Sequence, residues 1–157
     1  MGRDNHRRQA AKRKLHVPAP LTSLIYVSTA TAGLSLDDFL AILTASQRNN
    51  QRLGITGLLV FNGTNFMQCL EGDKAATNDL LHHIERDDRH SGLNVVSQNQ
   101  TVKLQFAEWH MAGRYLPEKH GMGQADLKEI LSADAVSGAT RTMFDSFRSL
   151  GGGLPGM

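Results

Sequence analysis

The chain has one cysteine, Cys69, in 157 residues. A single thiol cannot close an intramolecular disulfide, and no Cys-x-x-Cys or Cys/His spacing marks a structural zinc site. Long apolar runs are also missing. Nothing approaches the roughly 20 residues that span a bilayer, and the basic start is not followed by an apolar signal core. Neither secretion nor membrane insertion is expected, and a reducing cytoplasm fits. No anion-cradling glycine loop stands ahead of a helix, and no nucleophile-base pair or metal set is apparent. With 40% hydrophobic and 20% charged residues, the composition is that of a folded domain rather than a disordered or fibrous chain. The length is sufficient for one core without staples.

Charge is unevenly spread. Residues 1–20 carry six Lys or Arg against one acid, Asp4, so a net charge of +2 leaves the rest of the chain at −3. Val17-Pro18-Ala19-Pro20 then favours extended chain over helix. Residues 1–20 are therefore expected to be a disordered basic arm. That arm is the one feature suggesting nucleic acid, because the body does not resemble a nucleic-acid binder.

From Leu21 the stretch LTSLIYVST alternates and is β-branched, which predicts a strand. Ser35 is a plausible N-cap for a helix to Leu53, with Leu36, Phe39, Leu40 and Leu43 at helical spacing. GITGLLVF is apolar on both faces, as in a central strand, and Asn62-Gly63 predicts a tight hairpin returning through NFMQCLEG. A second helix is predicted from Lys74 to Arg86, followed by strands near LNVVSQ and VKLQFAEWHM. The order β-α-β-β-α-β plus a strand defines an α+β, ferredoxin-like fold: a five-stranded mixed sheet with two helices on one face. Both sheet faces read as apolar, so short C-terminal helices over 125–133 and 139–150, or a partner subunit, are expected to cover the second. The GGGLPGM ending is expected to be a flexible tail over 151–157.

Polar residues on faces that should be buried point to a site, since each must find a partner or incur a penalty of a few kcal/mol. Tyr26 shares a strand face with Leu24, and Gln68 lies between Phe66 and Leu70. Ile42, Ser46 and Asn50 form one helical stripe that turns from apolar to polar, with Asn49 adjacent. His83 and Asp87 are spaced likewise on the second helix, with Arg89 and His90 after them. Together these groups describe a cleft for a flat heteroaromatic ligand with amide-like edges.

Five segments carry a resemblance: LIYVS with Tyr26, SQRNNQRLGITGLL with Asn50, NFMQCLEG with Gln68, HIERDDRH with Asp87, and FAEWHM with Trp109 and Met111. In order and spacing, over about residues 21–112, they resemble the BLUF family of blue-light receptors using flavin. The resemblance implies a short-type photoreceptor with its flavin-binding domain over 21–115 and a helical extension over 116–150. FAD, or FMN or riboflavin, would lie between the two helices, bound by Asn50, Asn49, Ser46, His83, Asp87 and Ile42. Position 83 is Arg in many members and His here.

The family mechanism implies that Tyr26 loses an electron to the excited flavin and a proton passes through Gln68. Recombination then leaves Gln68 rotated or tautomerised and the absorption red-shifted. Trp109 and Met111, two apart on the predicted last strand, would face the same way and register the change. The chain is expected not to be an enzyme: the roughly 45 residues after Met111 are too few for a cyclase or phosphodiesterase. Output is expected through a homo-oligomer or an effector protein. The alternative reading is a non-photoactive module of the same fold that binds a small ligand.

Overall fold

The computed structural model describes residues 20–117 and 122–151, so most of the basic arm and the glycine-rich tail lie outside the described residues. Strand β1 is Leu21–Ala30 and helix α1 Leu36–Leu53, followed by β2 (Thr56–Phe61) and β3 (Asn65–Asp73). Helix α2 spans Lys74–Glu85, β4 His90–Thr101 and β5 Ala112–Tyr115. Two further helices close the chain, α3 (Met122–Leu131) and α4 (Gly138–Gly151).

The local signals for these elements act as expected. Ser35 Oγ accepts from the Asp38 amide at 3.0 Å and the Asp38 carboxylate accepts from the Ser35 amide at 3.0 Å, a reciprocal capping box. Gly54, at φ 68°, ends α1 in the left-handed conformation. The β2–β3 connection is a three-residue loop rather than a two-residue turn. Asn62 Oδ1 accepts from the amides of Thr64 and Asn65 at 3.0 and 2.8 Å, and Gly63 takes φ 104°.

The five strands lie in the order β4-β1-β3-β2-β5, antiparallel except for the parallel β2–β5 pair. Period-2 alternation divides the side chains between two cores. Leu24, Tyr26, Leu59, Phe66 and Leu70 face α1 and α2, where Phe39 and Leu81 meet them. Ile25, Leu58, Val60, Met67 and Cys69 face the other way and are covered by α3 and α4 through Leu127, Ile130, Leu131, Phe144 and Phe147. The C-terminal helices thus supply the cover that the doubly apolar sheet demanded.

One expectation fails. The predicted strand over VKLQFAEWHM is absent: Val102–His110 is a run of bends and turns, and the pairing strand starts only at Ala112. Phe106 is fully buried in the outer core and Val102 is 95% exposed. The apolar residues here follow the shape of the sheet end, not the alternation of a pleat.

Candidate functional site

Register brings the first pair together. Tyr26 on β1 lies directly opposite Gln68 on β3, and Gln68 opposite Leu59 on β2. Side chains directly opposite on one face are near neighbours, and the Tyr26 hydroxyl donates to Gln68 Oε1. Both residues are 3% exposed. Burial, with the Asp87 charge behind it, pushes the Tyr26 phenol well above its ordinary value of 10, so it remains a proton donor. The β1–β4 ladder shifts register between Ile25 and Tyr26, an irregularity of the kind that re-aims side chains beside sites.

The other Gln68 atom is also engaged. Its Nε2 donates to Met111 Sδ at 3.3 Å, and Met111 is 1% exposed within the helix-side core. Trp109 packs instead against the outer core. Trp109 and Met111 therefore lie on opposite sides of the sheet, contrary to the sequence-based expectation that they face the same way. The reason is the missing strand: the two-residue rule holds on a pleat, and the chain turns at 105–110.

Above the Tyr26–Gln68 pair is a cleft of about 180 Å³ between α1 and α2. Helix α1 lines it with Ile42, Ser46, Asn49 and Asn50, and α2 with His83, whereas Asp87, expected on that helix, enters from the turn just past its end at Glu85. The stripes read from sequence converge on one cavity. Asn50, 1% exposed, donates from Nδ2 to the His110 carbonyl at 2.7 Å. Its Oδ1 is buried and has no partner among the described residues. Asn49 and His83 are exposed at the rim.

Arg89 and His90 also line the cleft, although the flavin-binding set that the resemblance implies includes neither. Arg89 Nε donates to both Asp87 carboxylate oxygens at 2.9 and 3.1 Å, and its Nη2 to Oδ2 at 2.5 Å. These bonds hold the Asp87 carboxyl down at about 2 and raise the Arg89 guanidinium. The His90 ring lies 6.3 Å from the Tyr26 ring. Arg89 sits in the turn that follows α2 and His90 opens β4, so no helical spacing applies to either. The dense charge of ERDDRH was the available signal.

The donor set fits a flavin ring. Such a ring presents carbonyl acceptors and an N–H donor along one edge; the Arg89 guanidinium can serve the acceptors, and the partnerless Asn50 Oδ1 is an acceptor for the donor. Ile42, Leu59 and Phe66 give the cleft apolar walls.

Known proteins share the sequence pattern and the fold. The family model described as "BLUF: Sensors of blue-light using FAD" matches residues 21–112. The chain is 38% identical over 90 residues to photoactivated adenylate cyclase subunit beta of Euglena longa, a match covering 57% of this chain and 10% of that protein. Among solved structures, the dark-state structure of BlrB, a BLUF protein, aligns with TM-score 0.64 at 30% identity over 83% of this chain and 99% of that one. Klebsiella pneumoniae BlrP1 with FMN and cyclic diGMP aligns with TM-score 0.70 at 29% identity, covering 82% of this chain and 36% of that one.

The fold and the family match are those of a flavin-based blue-light sensor. The chain belongs to the BLUF family. It spans about a tenth of the length of the photoactivated cyclase subunits it matches.

Proposed function

We propose that Tyr26 and Gln68 are the photochemical switch and that the cleft between α1 and α2 holds FAD, or FMN or riboflavin, without a covalent bond. The observation that carries this reading is the buried Tyr26–Gln68 hydrogen bond at the floor of the cleft. Bound flavin supplies the blue-light chromophore and, when excited, a strong oxidant. Tyr26 gives up an electron and then its phenolic proton, for which Gln68 Oε1 is the adjacent acceptor. Gln68 can donate and accept, so its amide can settle in a second arrangement once both the electron and the proton have returned to Tyr26. Asn50, Arg89 and Asp87 bind the polar edge of the ring, with Asn49, Ser46 and His83 at the rim and Ile42 on its face. Met111, which accepts from Gln68, and Trp109 on the outer face carry the change onward.

The flavin-binding unit is read as residues 21–115 with a helical extension over 116–150. The relatives include a protein named as a photoactivated adenylate cyclase subunit and an Escherichia coli protein named as a blue light- and temperature-regulated antirepressor. Those names support output to an effector, here a partner protein or a second copy of this chain, with the domain itself a sensor and not a catalyst. Among the described residues no helix is long and apolar enough to cross a membrane, and we place the protein in the cytoplasm. One spectrum tests the reading: the purified protein is expected to be yellow and to red-shift reversibly under blue light. Colourless protein that cannot take up flavin would sink it.

A further inference from the structure

On the outer face of β3, next to Cys69, the Glu71 side chain is wholly buried. A buried carboxylate is costly unless it is paired, and its neighbours on that face, Met67 and Cys69, belong to the apolar core. Among the described residues no cation pairs with it; the ion pairs there are Arg89–Asp87 and Arg148–Asp145. Its partners are amides from one short segment. Oε1 accepts from the backbone N–H of Gln105 at 2.7 Å and of Phe106 at 3.1 Å, and Oε2 accepts from Gln105 Nε2 at 3.1 Å. Gln105 Oε1 then accepts from the backbone N–H of Ser137 at 2.8 Å. Ser137 stands just before α4, its Oγ accepting from the Thr140 amide at 3.1 Å.

This chain has a fixed polarity. A carboxylate accepts and a backbone N–H donates, so only one orientation of the Gln105 amide satisfies both ends. The other end of the same segment meets the switch: Asn50 holds the His110 carbonyl, Gln47 Nε2 holds the Met111 carbonyl at 3.0 Å, and Gln68 bonds Met111 Sδ.

We propose that Gln105, oriented by Glu71, is the positioning residue that couples the Met111 segment to α4, so that a change at Gln68 alters the start of that helix. The proposal rests on the photoswitch reading above. When Gln68 takes its second arrangement, its bond to Met111 changes, and residues 105–111 differ between the two states. The Gln105–Ser137 bond is the side-chain contact that passes this difference to α4, as any population shift requires a state-dependent contact.

The test is hydrogen–deuterium exchange of the flavin-loaded full chain, in the dark and under steady blue light, read over residues 138–150. Gln105→Met keeps length and volume but removes all three bonds of the side chain, to Glu71, to Ser137 and, at 3.3 Å, from Nε2 to Ser23 Oγ. Glu71→Gln places a donor against Gln105 Nε2, and turning the Gln105 amide to relieve this sets a donor against the Ser137 N–H. Both variants are expected to keep the flavin and the reversible red shift while losing the light–dark difference in α4. Ile130→Val trims the same outer core without touching the polar chain and is expected to retain both responses, which a merely structural role for Gln105 would not predict. Should Glu71→Gln not fold, Gln105→Met carries the test. A wild-type red shift with an undiminished α4 response in Gln105→Met would overturn the coupling alone. Wild-type protein without a red shift would overturn the photoswitch reading and the coupling with it.

Discussion

A double-mutant cycle on Tyr26 and Gln68 measures the central bond of the site. In Tyr26→Phe the buried Gln68 Oε1 loses its donor, and in Gln68→Leu the buried Tyr26 hydroxyl loses its acceptor, both at positions only 3% exposed. An orphaned buried polar group costs about 1–3 kcal/mol. In Gln68→Leu the new side chain packs between Phe66 and Leu70 and opposite Leu59, which offsets part of that cost. The double variant orphans neither group of the pair, because replacing both partners with apolar groups is nearly neutral. The coupling energy is therefore expected to be about 1–3 kcal/mol, with the double variant more stable than the sum of the singles predicts. Thermal unfolding in the dark at saturating flavin resolves this, since 1 kcal/mol shifts the midpoint by about 2–4 °C for a chain of this size. Additivity within about 0.3–0.5 kcal/mol would refute the bond. The same three variants are expected to bind flavin and show no red shift. A normal photocycle in Gln68→Leu would remove Gln68 from the mechanism.

Three further outcomes follow from the geometry. Asn50→Ala removes the donor to the His110 carbonyl and the partnerless Oδ1; at about 1–3 kcal/mol this weakens flavin binding roughly five- to 150-fold, as a fluorescence-quenching titration would read, and unchanged affinity would exclude Asn50 as a ligand residue. Asp87 is held at about 2, below its ordinary 3.8, chiefly by the Arg89 hydrogen bonds. The stability it contributes is thus complete above 3.8 and is lost as pH falls toward about 2. The effect is modest because its side chain is 31% exposed, and Asp87→Asn is expected to flatten the unfolding midpoint in that acid window. In Gly57→Ala the new Cβ would stand 1.9 Å from the Cys69 carbonyl oxygen, so the β2–β3 ladder must move. A loss of at least about 1–3 kcal/mol is expected by chemical denaturation, and wild-type stability would contradict the close approach.

Neither core is built from one contiguous segment, and this shapes how the site works. Gln68 belongs to β3, whose alternate residues face α1 and α2 on one side and α3 and α4 on the other. A rearrangement on the cofactor side and a readout on the C-terminal side therefore share one strand and the 102–111 segment at its end. The Met111 contact lies on the first side, and the Trp109 and Phe106 contacts on the second.

Much was legible in the sequence because it depends on local periodicity. Alternation put Tyr26 on a face with Leu24 and Gln68 on one with Phe66 and Leu70, the capping pattern at Ser35 began α1, and four-residue spacing put Ser46 and Asn50 on one stripe. The doubly apolar sheet announced that its second face needed cover. Tertiary structure decided what has no period. Register, carried through the crossover helix α1 and the β2–β3 hairpin, set Tyr26 opposite Gln68. The turn over 102–110 sent Trp109 and Met111 to opposite faces, and the chain leaving α2 brought Arg89 and His90 into the cleft. Only packing buries Glu71 against the amides of Gln105 and Phe106. Repeats in the backbone write themselves into the spacing of side chains, whereas contacts between distant segments are fixed by the packing of whole elements.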